Sequence, residues 1–327
     1  MKLLVTGGAG FIGSNFIRYI FDRYPSYTIV NYDLVAQSGD SEQLSHVYGH
    51  ENYHAVQGDI CDSSLVRDTI KRFDIDAVVN FAAVTEDGVQ TMENSERLVR
   101  TNVLGTQNLL DSCKALQVKR FVQISTGGVY GSLGRTGYFT EDSALAPSSP
   151  YDASKAAADL LVRAYHKTYG LHVNIARSAC LYGPFHYMDA CPVPQFITCA
   201  MQNKQLPELD CSLDVRDWLH VMDHASAVER VLHDGKAGEV YNIGGFNERR
   251  HLDVAELIIG LLQKSSALLP FAMQSREFKY RRYTLDPSKI ASTLGWKPSY
   301  TFEQGIEETV DWFNRHRADW LQLHEQV

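Results

Sequence analysis

The chain has 327 residues, of which 44% are hydrophobic and 21% charged, and a formal net charge of −8. That length and apolar content support a sizeable core in one large domain or two connected lobes, and exclude a disordered chain. The acidic balance, with no basic run to offset it, excludes general nucleic-acid binding, and no apolar run approaches a membrane span, so a cytoplasmic protein without a membrane partner is expected.

In chain order, KLLVT (2–6), TIVNY (28–32), YHAVQ (53–57), AVVNF (77–81) and RFVQIS (120–125) are short runs rich in β-branched residues. Helical patterns separate them: FIGSNFIRYIFDRY, SSLVRDTIKRF and a long stretch from about Asn94 to Leu116. Strands alternating with crossover helices predict an α/β protein with a doubly wound parallel sheet of Rossmann type. HVNIAR (172–177) reads as a sixth strand after a helix starting near Ser154. Past residue 178 the rhythm breaks: YGPFHYMDACPVP and NKQLPELDCSLD read as loops over a cleft. A helix near 195–203, a strand-like EVYNIGG (239–245) and a terminal helix from about Thr301 follow. The expected division is a dinucleotide-binding domain over 1–177, to which 217–243 returns, and a smaller α/β substrate lobe from 178–216 and 244–327.

MKLLVTGG is too short for a signal peptide and enters a glycine motif at once. The cysteines Cys61, Cys113, Cys180, Cys191, Cys199 and Cys211 show no CxxC pair and no histidine at metal spacing, which predicts reduced thiols and no metal.

GGAGFIG (7–13) follows the first strand and opens the first helix, with Gly7, Gly10 and Gly13 at the spacing of a dinucleotide fingerprint. Glycines permit the tight turn, and the helix N-terminus, including Phe11 and Ile12, presents N–H groups to a pyrophosphate. Asp33 ends the second strand twenty residues past Gly13, where a carboxylate takes both ribose hydroxyls of NAD; the following LVAQSG lacks the arginine that a 2′-phosphate would need. Asp59, with Ile60 beside it, closes the third strand near the expected adenine. Phe81, Ala82 and Ala83 close the fourth with residues that let a nicotinamide approach.

QISTGGVYG (123–131) ends a strand in a hydroxyl pair, Ser125 and Thr126, and runs into two glycines. YDASK (151–155) places Tyr151 and Lys155 on one face of a helix start. A phenol of pKa about 10 needs roughly 4 kcal/mol of anion stabilisation to reach about 7, and a nearby ammonium with a cationic nicotinamide supplies much of it. Such a tyrosinate takes the proton of a carbinol while hydride leaves to NAD.

TGGAGFIG, GDICD, TNVLGT, SPYDASKAAAD, YGPFH, RDWLHVMDHA, YNIGG and LGWKP together resemble the extended short-chain dehydrogenase/reductase family, over nearly the whole chain. GDSEQL and RRYTLDPSKI make it similar to the dTDP-glucose 4,6-dehydratases within that family. The resemblance implies a catalytic trio of Thr126, Tyr151 and Lys155, with Thr101, Tyr151 and Lys155 also meeting the nicotinamide side of the cofactor. It further implies a nucleotide-sugar substrate and a homodimer through helices at about 94–116 and 154–169.

The likeness has gaps. Those dehydratases carry S-T-D-E-V-Y-G, whose Asp and Glu would serve the loss of water across C5–C6; here the pair is Gly127 and Gly128. A missing acid or base costs ~10²–10⁴-fold. Thr85 and Glu86, in the rebuilt loop VTEDG, are candidate sugar contacts, and Glu86 or Asp87 is a candidate replacement acid or base. Cys180 stands where an asparagine is usual, Ala190 where a lysine is, and Asp210 and Asp214 are added near Arg216. Arg216 remains a diphosphate ligand candidate, with Arg281 and Arg282 behind it. The leading expectation is NAD-dependent oxidation of a sugar carbinol, at C4 of a nucleotide-linked hexose, with return of hydride (an epimerase) or release of a keto sugar. An empty corner beside the glycines would suit a turning ketose. The alternatives are a 4,6-dehydratase with relocated acid and base and, against the intact trio, a non-catalytic NAD-binding regulator.

Overall fold

The computed structural model describes residues 1–35, 42–85, 92–186, 191–207, 214–270 and 282–316. Its main sheet is built from β1 (Lys2–Thr6), β2 (Thr28–Asp33), β3 (Tyr53–Gln57), β4 (Ala77–Asn80), β5 (Arg120–Thr126), β6 (Val173–Ser178) and, further along the chain, Val240–Ile243. All are parallel neighbours, in the order β3-β2-β1-β4-β5-β6 and then Val240–Ile243 at the edge. This is the doubly wound arrangement that the alternating pattern predicts. The order reverses between β1 and β4, so the crevice beyond their carboxyl ends is where such a sheet takes a ligand.

Helices cover both faces. On one, α1 (Phe11–Arg23) packs Phe16, Ile17 and Ile20 into the core beside Val228, Val231 and Leu232 of a later helix. On the other, α2 (Ser63–Phe73) brings Val66 and Ile70. Beside it, α3 (Met92–Leu98) runs through a π-helical stretch, Val99–Gly105, into α4 (Thr106–Ala115), which contributes Leu109 and Leu110 to the same layer. α5 (Pro150–Tyr169) adds Val162. The ends of α5 are set locally: the Ser149 hydroxyl accepts the Asp152 N–H, Pro150 takes the first turn, and Gly170 closes it at φ +70.

After β6 the chain builds a second layer from β7 (Cys180–Tyr182), α6 (Pro192–Met201) and β8 (Val215–His220). α7 (Val221–Asp234) then leads back to the main sheet's edge strand, β9 (Val240–Ile243). The rest is β10 (Glu248–Arg250), α8 (His251–Leu261), β11 (Arg282–Tyr283), α9 (Ser288–Leu294) and α10 (Phe302–Arg315). β8 is the hub of a four-stranded sheet, pairing with β7, β10 and β11. Its core joins Trp218 to Phe196 and Ile197 of α6, Val254 and Ile258 of α8, and Phe302, Ile306 and Phe313 of α10. Among the described residues no helix is long and apolar enough to cross a membrane.

Candidate active site

The glycine turn is closed on one side and open on the other. Gly7 has φ +69, and a Cβ there would lie 2.6 Å from Ala82 N; one on Gly13 would lie 2.3 Å from Gly7 O. One on Gly10 would meet only Gly7 O, at 3.4 Å. Gly10 is also the cap of α1 and has no side chain to occupy the first-turn N–H groups of Phe11, Ile12 and Gly13. The Asp33 carboxylate lies at the rim of this turn, accepting the Ala9 N–H through Oδ2 at 3.0 Å and the Val35 N–H through Oδ1 at 3.2 Å. Asp59 Oδ1 accepts the Cys61 N–H at 2.8 Å. Ile60 is a core side chain instead, packed so closely against Gly105 that a Cβ there would lie 2.5 Å from its Cδ1.

Phe81, Ala82 and Ala83 follow β4 and are half-buried. Thr101 sits in the π-helical stretch beside Asn102, which ties this loop to α5. Asn102 accepts the Val84 N–H at 2.8 Å, and donates to Val84 O at 3.0 Å and to Ser154 Oγ at 2.9 Å. The Ser154 hydroxyl in turn donates to Tyr151 O at 2.7 Å. The His186 ring stacks on Phe11 at 3.9 Å, and burial pushes it down to about 3, so it is neutral. A glycine cradle that excludes side chains, an N-terminus without a side-chain cap, and a carboxylate at the rim fit a dinucleotide.

Thr126 ends β5, its Oγ1 accepting the Gly128 N–H at 3.1 Å. Tyr151 lies half-buried in the first turn of α5, and Lys155 is fully buried one turn on. The Lys155 ammonium donates to Ile124 O at 2.6 Å. Burial pushes it down to about 8, against the pull of Asp159. Asp159 pairs with Arg177 at 2.9 Å, both wholly buried. Arg177 also donates to Tyr130 Oη at 2.7 Å, and that phenol donates to Asn242 Oδ1 at 2.8 Å. Two cations, Arg177 and Lys155, therefore act on one buried carboxylate, Asp159.

The corner beside the glycine pair is not empty. A Cβ on Gly127 would meet Leu285 at 3.1 Å and Tyr283 at 3.3 Å. A Cβ on Gly128 would fall 1.9 Å from Asp152 Oδ1. The expected vacancy is replaced by carbon on one side and a carboxylate on the other. On the substrate side, Thr85 is half-buried after β4, and Cys180, half-buried, opens β7. Arg216 donates to Asp214 Oδ2 at 2.9 Å and lies over the Tyr283 ring at 4.9 Å. Arg282 turns inward, pairing with Glu248 at 2.5 Å and donating to Gly137 O at 2.8 Å, which removes it from the phosphate candidates. Glu86, Asp87, Ala190, Asp210 and Arg281 lie outside the described residues.

Three residues that the motifs do not single out, Tyr283, Asp159 and Asp152, stand in this cluster. Tyr283 is pushed up by burial, with Cys180, Arg216 and Asp152 among the groups acting on it. Its signal was its place in RRYTLDPSKI. Asp159 is visible as the last residue of SKAAAD, one turn beyond Lys155, and Asp152 lies inside YDASK itself.

A family model described as GDP-mannose 4,6 dehydratase matches residues 4–309. A dTDP-glucose 4,6-dehydratase of Xanthomonas campestris pv. campestris is 40% identical over 336 residues, covering 98% of this chain and 94% of its own. The crystal structure of dTDP-glucose 4,6-dehydratase from Bacillus anthracis in complex with NAD superposes with a TM-score of 0.89 at 44% identity, covering 98% of each chain. UDP-glucose 4-epimerase from Thermotoga maritima with UDP-glucose superposes with a TM-score of 0.86 at 26% identity, covering 97% of this chain and 100% of that one.

Proposed function

The chain belongs to the extended short-chain dehydrogenase/reductase family of NAD-dependent epimerases and dehydratases, and from that premise we propose that it is an NAD-dependent nucleotide-sugar 4,6-dehydratase. The observation that carries the reading is the buried Lys155 ammonium, held on Ile124 O one helical turn beyond Tyr151, beside the glycine cradle. Identity of 40–44% over nearly the full length to enzymes named as dTDP-glucose 4,6-dehydratases, against 26% to an epimerase, supports dehydration over epimerisation.

Gly7, Gly10 and Gly13 with the first turn of α1 would hold the cofactor's pyrophosphate, and Asp33 its adenosine ribose. NAD, when bound there, would supply reversible hydride acceptance for oxidation and re-reduction of the hexose. Thr126 and Tyr151 bracket the C4 hydroxyl, and Tyr151 takes its proton. Lys155 stabilises the phenolate and is itself supported by Asp159. Cys180 and Arg216 face the nucleotide end, where Asp214 tempers the arginine's charge. The exposed apolar residues Val99, Leu104, Leu160 and Tyr169, on the π-helical stretch and α5, support a homodimer through this face.

A second reading, epimerisation at C4 or release of the keto sugar, is favoured by one observation, the glycine pair in place of Asp-Glu. Incubating the purified protein with dTDP-glucose and UDP-glucose separates the two. A product lighter by one water, with C6 reduced to a methyl, supports dehydration. Inversion at C4 with every oxygen retained supports epimerisation.

A further inference from the structure

The side-chain space of Gly128 is taken by Asp152. A Cβ on Gly128 would lie 1.9 Å from Asp152 Oδ1, 2.6 Å from its Cγ and 3.0 Å from Oδ2. No side chain from the end of β5 can enter while this carboxylate is there. Its orientation comes from the helix cap. Ser149 Oγ accepts the Asp152 N–H at 3.1 Å and donates to Oδ2 at 3.0 Å, so Oδ1 is the oxygen directed at Gly128. The surroundings are those of the reacting sugar in the reading above. Tyr151 is the preceding residue, and Thr126 holds the Gly128 N–H. Asp152 also acts electrostatically on Tyr283, as do Cys180 and Arg216. Gly127 is closed by Leu285 and Tyr283, so among the described residues Asp152 is the carboxylate that fills the side-chain space of this glycine pair.

We infer that Asp152 is the proton-transfer carboxylate of water elimination, an assignment that rests on the dehydratase reading. Once C4 is a ketone, the C5 hydrogen is acidic. The Asp152 carboxylate takes that proton, and the C5 electron pair forms the C5–C6 double bond. The C6–O bond breaks, and the same proton leaves Asp152 with the departing hydroxyl as water. The carboxylate is thereby restored. When hydride returns to C6, C5 takes up one proton, equal in count to the one Tyr151 removed from the C4 hydroxyl. The net change is loss of one water, with no outside oxidant or reductant. One group serves as base and then acid, completing a step otherwise divided between two.

The test uses the full chain with NAD and a hexose nucleotide in deuterated water. It follows C5 deuterium and water loss by mass spectrometry, and reduced cofactor by its absorbance. Asp152→Asn is expected to slow water loss ~10²–10⁴-fold, while reduced cofactor accumulates because oxidation at C4 still proceeds. Gly128→Glu alone is expected to lower the melting temperature, because its side chain meets Asp152. Combined with Asp152→Ser it is expected to melt near wild type and to recover elimination relative to Asp152→Ser. Wild-type rates of water loss in Asp152→Asn and Asp152→Ser overturn the assignment while leaving the dehydratase reading intact. A wild-type protein that reduces NAD yet always keeps the C6 hydroxyl overturns both.

Discussion

The ammonium of Lys155 donates to the carbonyl oxygen of Ile124 at 2.6 Å, inside the end of the strand that carries Thr126. This contact holds a cation in a nearly water-free position one helical turn beyond Tyr151, where the proposed chemistry needs a phenolate stabilised. The sign of its pH dependence follows. Burial lowers Lys155 to about 8, so the ammonium is present below that pH and lost as pH rises through it. The rate of cofactor reduction by a hexose nucleotide is expected to fall above about pH 8. Asp159→Asn removes the charge that holds Lys155 up and is expected to move that fall to lower pH. Stopped-flow absorbance over a pH series checks both.

Tyr151→Phe removes the group that takes the carbinol proton and leaves the glycine cradle untouched. Cofactor reduction is expected to drop ~10²–10⁴-fold, far more than NAD affinity measured by calorimetry. A loss of NAD affinity that accounts for the whole loss of rate would confine Tyr151 to cofactor binding.

Arg177 and Asp159 form an ion pair in which both side chains are essentially inaccessible. Removing one partner leaves a buried charge alone. Arg177→Met is expected to destabilise the fold by about 3–5 kcal/mol, read from urea unfolding. A loss below 1 kcal/mol would mean that Asp159 becomes neutral without penalty.

Gly13→Ala brings a Cβ to 2.3 Å from the carbonyl oxygen of Gly7. The turn has to open, at a cost of about 1–3 kcal/mol for overpacking. NAD affinity is expected to fall with it, whereas Gly10→Ala, which meets only an ordinary contact, is expected to be milder. Isothermal titration of both variants with NAD checks the order.

Local features were the legible ones. The runs at 2–6 and 53–57 match β1 and β3 to the residue, because each is a short run closed by a glycine breaker, Gly7 and Gly58. The glycine turn and Tyr151–Lys155 are likewise contained in a few consecutive residues. β8, which begins directly after the loop-like NKQLPELDCSLD, is not legible as a strand, since its partners β7, β10 and β11 are very short and distant in sequence. The same holds in the site. Gly128 beside Asp152, and Asp159 beside Arg177, meet only once α5 is docked against β5 and β6. A glycine pair read alone suggests a vacancy. The fold brings a carboxylate from the neighbouring helix into that space.

The most direct measurement follows the hydrogen on C4. A hexose nucleotide deuterated at C4 is turned over by the purified protein with NAD, and the product is analysed by mass spectrometry and NMR. Deuterium found on C6 of a 4-keto product one water lighter is the expected result, since hydride leaves C4 and returns two carbons away. Deuterium back on C4 of an inverted sugar, with the C6 hydroxyl retained, would contradict the account.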